Sequence, residues 1–283
     1  GGGKMASHMG FVAVMVCFGL LCLCSTSDPG VVSEDNAQEL CKAYSYGEAL
    51  VDAPKSCSTC GNPRPQRSKH CPICGRCVAR FDHHCGWINN CVGADNLRLF
   101  LMFLASNAFL CFYAVTVAYY AVKGDMVRHK VFTSVMIDYR TGRTVETARD
   151  WNWLLRWLMF HHTFAMTLNL FIAIMGAMLT GFLAYHLWLV ATNSTTYEQI
   201  KLSRQRIALR EAGGGESSGS PEASPPAQGL WRRLGRCCER WTSSVLCSPY
   251  DRGLLENISE CLWPERMRRP RQNAAPPATK KDK

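Results

Sequence analysis

Two stretches of this chain run the length of a membrane span without a charge. Leu99–Val122 is 24 residues with no Asp, Glu, Lys or Arg, and Trp157–Tyr197 holds none either. Roughly 20 apolar residues carry a helix across the hydrocarbon core. Buried helices of soluble domains seldom stay charge-free for so long. The pattern predicts transmembrane helices over 99–122 and 163–191. A third apolar run, Phe11–Cys24, is 14 residues long and sits in a segment read as 9–26. It fits either the apolar middle of a secretory signal or a short or truncated transmembrane helix. Residues 1–8 open Gly1-Gly2-Gly3-Lys4 with no start Met; they read as a fragment end or a processed gene model and stay outside the fold reading.

Between these runs the pattern turns polar. Residues 27–98 form a Cys- and His-rich module with its core at 57–100, residues 123–162 form a loop, and 192–283 form a tail. Trp151, Trp153 and Trp157 stand where the chain re-enters the apolar phase, the usual place for interfacial anchors. The fold class is an α-helical integral membrane protein carrying a metal-stapled Cys-rich module between spans.

Charge sets the orientation. The net charge is +10, and residues 192–283 hold 16 of the 32 Lys and Arg. A basic tail after a span reads as cytoplasmic, drawn to anionic headgroups. The module and the 123–162 loop are nearly balanced, with 8 and 7 Lys and Arg, so the tail decides. The module and tail then share the cytosolic side, and 123–162 is lumenal or extracytosolic. Nucleic acid is not an expected partner, because no base-reading module accompanies the charge. Gly213–Gly229 reads as a disordered break in the tail. Beyond it Trp231, Trp241 and Cys237-Cys238 among arginines resemble a membrane-surface helix with juxtamembrane thiols, and Lys280-Lys281 resemble a dilysine retrieval signal.

The chemistry is concentrated in residues 57–91, which hold seven of sixteen Cys and three of eight His. The C-x2-C spacings point to metal ligation in a reducing compartment rather than to disulfides. Ten soft ligands are present: Cys57, Cys60, His70, Cys71, Cys74, Cys77, His83, His84, Cys85 and Cys91. Two closed tetrahedral zinc sites take eight. Adjacent residues seldom ligate one ion in such knuckles, so His70 goes with Cys57 and Cys60, and Cys77 closes that site. Cys71, Cys74 and Cys91 form the second site with one of His83, His84 or Cys85. Spacing alone does not choose between the histidines. If the leftovers are one His and one Cys side by side, the cluster presents a thiol beside a base, the arrangement of a nucleophilic enzyme.

The string C-x2-C-x9-H-C-x2-C-x2-C-x4-D-H-H-C-x5-C-x4-N-x3-F, running from Cys57 through Asp82-His83-His84-Cys85 to Asn96 and Phe100, resembles the cysteine-rich domain of the DHHC protein S-acyltransferases, or palmitoyltransferases. Asp28-Pro29-Gly30, Thr195-Thr196-Tyr197-Glu198 (the family's T-T-x-E) and Tyr250-x2-Gly253-x3-Asn257 match further family motifs in order, so the resemblance spans about residues 11–262.

The resemblance implies one zinc on Cys57, Cys60, His70 and Cys77 and a second on Cys71, Cys74, His84 and Cys91, both structural. It implies that Cys85 is the nucleophile, His83 its base, and Asp82 the group that fixes the imidazole. It implies a long-chain acyl-CoA such as palmitoyl-CoA as co-substrate, palmitate carried on Cys85 as an acyl-enzyme, and membrane-associated proteins with exposed Cys as acceptors. The lipid bilayer is the setting, in the endomembrane system at the endoplasmic reticulum or Golgi, with the active site cytosolic. Trp87, Phe100 and Phe103 are candidates for the acyl pocket, formed with the spans. Arg64, Arg67 and Lys69 are candidates for the coenzyme A phosphates. Thr195, Thr196 and Glu198 are expected to support the catalytic module, and Asn257 the tail fold. Family members usually have at least four spans. Here a first span is expected to be missing, which opens one pocket wall. Two other readings compete: a catalytically silent, N-terminally truncated fragment, and a membrane-tethered zinc interaction module.

Overall fold

A computed structural model describes residues 2–43, 56–137, 142, 144–146, 151–213, 248 and 250–264. In chain order the elements are α1 (Gly2–Thr26), α2 (Glu34–Ala43), β1 (Lys69–Cys71), β2 (Arg76–Val78), β3 (His83–Cys85), β4 (Asn90–Val92), α3 (Leu97–Arg128), β5 (Val135–Ile137), β6 (Thr144–Glu146), α4 (Trp151–Ala191), α5 (Thr196–Gly213) and α6 (Leu254–Leu262). Three of the helices, α1, α3 and α4, are long and apolar enough to cross a membrane. The helical membrane class read from the sequence therefore stands.

The element boundaries differ from the sequence reading. The first helix is not confined to 9–26: it begins at Gly2, so residues 2–8 are helical and α1 has 25 residues. Helix α3 outruns its charge-free window at both ends, to 32 residues, and α4 begins at Trp151, well before the expected span of 163–191, and has 41 residues. Charge-free windows mark where hydrocarbon tolerates no ion. Helical backbone continues past them, because Lys, Arg and Met are good helix formers in water. Trp151, Trp153 and Trp157 thus lie on the first turns of α4 rather than in a loop. Cys237-Cys238, Trp231, Trp241 and Lys280-Lys281 lie outside the described residues, as does most of Gly213–Gly229.

The chain divides into two compact units. One comprises Gly1–Leu23 and Leu101–Tyr185. Its helices turn large apolar side chains outward, among them Phe11, Phe18, Phe109, Phe164 and Phe171, as lipid contact requires. Tyr113 donates a hydrogen bond to the Ala6 carbonyl at 2.5 Å. A Cβ at Gly176 would stand 2.9 Å from Cys111 Cβ, so the missing side chain lets two helices approach closely. Helix α4 kinks at His162 (φ −132°, ψ 27°), where the His162 ring meets Asp125 at 3.1 Å.

The other unit comprises Cys24–Phe100 and His186–Lys283. It is built on two antiparallel hairpins, β1–β2 and β3–β4. Among the described residues its apolar clusters are small and include metal-ligand candidates: Cys57 and Cys77 pack with Val32, Ala37, Leu40, Ala79 and Ala94. Cys71 and Cys91 pack with Val78 and Phe81. Strands of three residues and clusters of this size do not hold a fold without cross-links.

Asp28-Pro29-Gly30 docks the segment after α1 onto this scaffold. The Asp28 carboxylate accepts the N–H groups of Gly30 and Val31 at 2.8 and 2.9 Å, and Gly30 takes φ +95°. Gly93 packs against this turn: a Cβ there would lie 2.4 Å from the Pro29 carbonyl and 2.5 Å from Val78 Cγ1. Gly93→Ala is expected to cost about 1–3 kcal/mol through overpacking, seen as a lower thermal-unfolding midpoint of the detergent-solubilised chain.

Candidate active site

A β-strand sends successive side chains to opposite faces. This period divides the ligand cluster. On β1, His70 and Cys71 point apart; on β3, His84 points away from the face shared by His83 and Cys85. Register completes the grouping, since His70 faces Cys77 across the first hairpin and His84 faces Cys91 across the second.

Two Cys3His groups result. Cys57, Cys60, His70 and Cys77 converge, as do Cys71, Cys74, His84 and Cys91. A zinc tetrahedron with Zn–S about 2.3 Å and Zn–N about 2.0 Å has S–S edges near 3.8 Å and S–N edges near 3.6 Å. Here Nδ1 of His70 lies 3.3–3.8 Å from the three sulfurs of its group, and Nδ1 of His84 lies 3.3–3.7 Å from its three. The sulfur pairs Cys60–Cys77 and Cys74–Cys91 are 3.9 and 3.5 Å apart. The donor sets fit zinc in size and chemistry. Each has four protein ligands, which leaves no position for a water.

The sites interleave. The strands of the first hairpin complete one group, while Cys71 and Cys74, at the end of β1 and in its turn, serve the other.

On the opposite face of β3 lie the residues the metals do not use. Nδ1 of His83 sits 2.6 Å from Asp82 Oδ2. Cys85 stands on the same face of this strand, near enough that His83 and Cys85 shift each other's ionisation. Asp82 is itself held by the end of the last span. Its Oδ1 accepts the Thr196 N–H at 2.7 Å and its Oδ2 the Thr196 hydroxyl at 3.0 Å.

Thr196 is placed by a capping box. Thr195 Oγ1 accepts the Glu198 N–H at 3.3 Å, and Glu198 accepts the Thr195 N–H at 2.9 Å, closing the start of α5. The T-T-x-E string is therefore a helix start whose second residue grips the Asp82 carboxylate.

The electrostatics follow. Burial opposes ionisation of Asp82. The His83 hydrogen bond and charge, with His186 and the Thr196 N–H, outweigh it and hold the carboxyl below its ordinary range. Burial pulls His83 down, yet its bonds to Asp82 and Cys85 push it up to about 9. Burial would raise Cys85, but the His83 bond and the N–H groups of Ile88 and Trp87 bring it below its ordinary value. Both shifts favour passage of the Cys85 proton toward His83.

The basic candidates separate. Arg67 does not face solvent, so the expectation of a phosphate contact is corrected. Its side chain is fully buried and pairs with Glu198 through Nε and Nη2 at 2.7 and 2.9 Å. A guanidinium removed from water must be paired and hydrogen-bonded, and this one also donates to Asn193 Oδ1 at 2.9 Å and to its carbonyl at 3.0 Å. Arg64 donates to the Ser68 carbonyl at 2.9 Å. Lys69 Nζ lies 4.2 Å from the Tyr197 ring centroid. Trp87 is 88% exposed, and Phe100 is buried against His83 at 5.4 Å between centroids. Phe103 lies along α3.

Asn257 is buried. It donates to the Ala191 carbonyl and Asp251, both at 2.7 Å, and accepts the Arg252 N–H.

The family model of the DHHC palmitoyltransferase matches residues 51–203, more than half of the chain. The chain belongs to this family. It is 34% identical over 176 residues to palmitoyltransferase ZDHHC4 of Rattus norvegicus, covering 62% of this chain and 50% of that protein. It is 32% identical over 209 residues to palmitoyltransferase SWF1 of Neurospora crassa, covering 72% and 48%. With protein S-acyltransferase 8 of Arabidopsis thaliana it shares 33% over 147 residues, 52% of this chain and 31% of the other. The chain spans about half the length of the curated relatives it matches first.

Sequence reasoning missed three residues of this DHHC site. His186 was hidden inside an apolar span, although an ionisable residue at membrane depth is itself a signal. Asn193 and Arg80 gave none. Asn193 Oδ1 accepts from both Arg67 and Arg80. Arg67, Arg80 and Asn193 all adopt φ between +45° and +65°, a conformation non-glycine residues hold only where surrounding contacts compel it.

Two outcomes are expected. Alkylation of Cys85, followed by peptide mass spectrometry, should have a pH midpoint below the usual thiol value of about 8.5, and His83→Gln should raise it. Glu198→Ala, which strips the main partner from a buried cation, should cost about 3–5 kcal/mol, read as a fall in thermal stability.

Proposed function

We propose that this chain is a protein S-acyltransferase that moves a long-chain acyl group from acyl-CoA to Cys85 and then to a cysteine of a substrate protein. The observation that carries the reading is the Asp82–His83–Cys85 line on the face of β3 opposite its metal ligand. An interaction module needs the two metal groups but gives this line no task.

The Cys85 thiolate attacks the thioester carbonyl of the acyl-CoA. The new C–S bond forms, the bond to coenzyme A breaks, and the imidazolium of His83 gives its proton to the departing thiolate. His83 is then neutral and takes the proton of an acceptor thiol, whose sulfur attacks the Cys85 thioester. The acyl group passes to the acceptor, and the thiolate–imidazolium pair is restored. Asp82 fixes the imidazole tautomer and stabilises its charged form in both halves. One thioester replaces another at each step, so no nucleotide is consumed. Zinc in the two Cys3His groups serves as cross-link only.

The apolar spans supply surroundings for an acyl tail whose burial contributes about 0.8 kcal/mol per CH₂. Trp87, Phe100 and Phe103 are candidates to meet that tail, and Arg64 and Lys69 to meet the coenzyme A phosphates. Acceptors are membrane-associated proteins with exposed cysteines. With spans on either side of it, the module shares a side with the basic tail, which favours a cytosolic site on an endomembrane such as the endoplasmic reticulum or Golgi. Thiol ligands favour the same reducing side.

Cys85→Ser is expected to abolish self-acylation by a labelled long-chain acyl-CoA while the protein keeps two zinc ions per chain. Loss of one zinc ion would make Cys85 a ligand and overturn the assignment, as would label retained by the variant.

A further inference from the structure

Behind Asp82 stands a second imidazole. His186, near the end of α4, is 1% exposed, and its Nδ1 lies 4.0 Å from Asp82 Oδ2. That oxygen is the one bonded to Nδ1 of His83. The His186 ring is 5.7 Å from the His83 ring and 5.3 Å, edge to face, from Phe100. Phe100 meets His83 edge to face at 5.4 Å. Three rings thus enclose one another in a triangle, with a carboxylate oxygen at the side shared by the two histidines.

Donors already hold Asp82 from two directions: Thr196 through its N–H and hydroxyl, and His83 through its ring. At 4.0 Å His186 is beyond hydrogen-bond length. What it presents is the polar edge of a buried ring beside a nearly buried carboxylate. A preorganised dipole in such surroundings acts on nearby charge more strongly than it would in water.

We propose that His186 is a positioning residue for the acyl transfer: it fixes the Asp82–His83 pair against Phe100. Its role is exerted through Asp82 and His83, the groups its ring faces. The proposal rests on the transferase reading, and its test separates the two.

The test uses the full chain in lipid nanodiscs, with wild type, His186→Phe and His186→Gln. Phe keeps an aromatic wall and removes the polar edge; Gln keeps a polar edge without the ring. Three quantities are read: zinc per chain, the rate of Cys85 alkylation at neutral pH, and the kcat and KM of self-acylation with palmitoyl-CoA. His186→Phe should lower kcat roughly tenfold, a fraction of what acid–base assistance supplies. It should leave the KM for palmitoyl-CoA and the two zinc ions unchanged, and slow alkylation. His186→Gln should recover most of both rates. The proposal is overturned if Phe matches wild type, if Phe and Gln lose equally, or if Phe changes KM alone or releases zinc. A wild-type chain that takes no acyl group refutes the transferase reading, and the alkylation rates still decide for or against His186.

Discussion

The alternation of side chains along one three-residue strand is the constraint on which this active site depends. His84 is pulled to one face of β3 by its metal group, and that contact fixes the rotation of the strand about its axis. The other face must then carry His83 and Cys85. His83 and Cys85 are aimed by strand period and coordination rather than by a large hydrophobic core, in keeping with the small apolar clusters among the described residues. A metal ligand and a catalytic base can be neighbours in sequence because the backbone period keeps them apart in space.

The second level of organisation is a buried polar frame. Arg67, from the segment before β1, reaches Glu198 and Asn193 at the start of the tail. Arg80, just after β2, reaches Asn193 as well. Thr196 reaches Asp82 from the same turn. Charges and hydrogen bonds join the Cys-rich module to the chain that follows the last span, where a soluble enzyme would use apolar packing. Such a frame is intolerant of partial loss, since each buried group left unpaired carries its whole desolvation cost. It also accounts for three non-glycine residues in the left-handed region, all within one network.

Much of this was legible in the sequence. The charge-free windows announced the spans, and the Cys and His spacings announced two metal groups with a thiol and a base to spare. What spacing left open was which histidine ligates, and the answer lay in the strand period around His84 rather than in any count of ligands. Arg67 was misread because a cation beside a phosphate-handling site suggests the phosphate. Nothing local reveals that Glu198, 131 positions later, closes over it. His186 was passed over because hydropathy averages a single imidazole away. Helix ends were misplaced because apolar character reports the hydrocarbon, whereas backbone helicity is limited only by caps and breakers.

The interleaving of the two Cys3His groups has a further consequence. Because one hairpin contributes its strands to the first group and its turn to the second, neither group can be assembled as a self-contained loop. The module is a single topological knot of coordination, tied or untied as a whole. Coordination at the two groups is thus a condition of folding shared across the whole module. An oxidant that captures any one of the six ligating thiols unties the whole module.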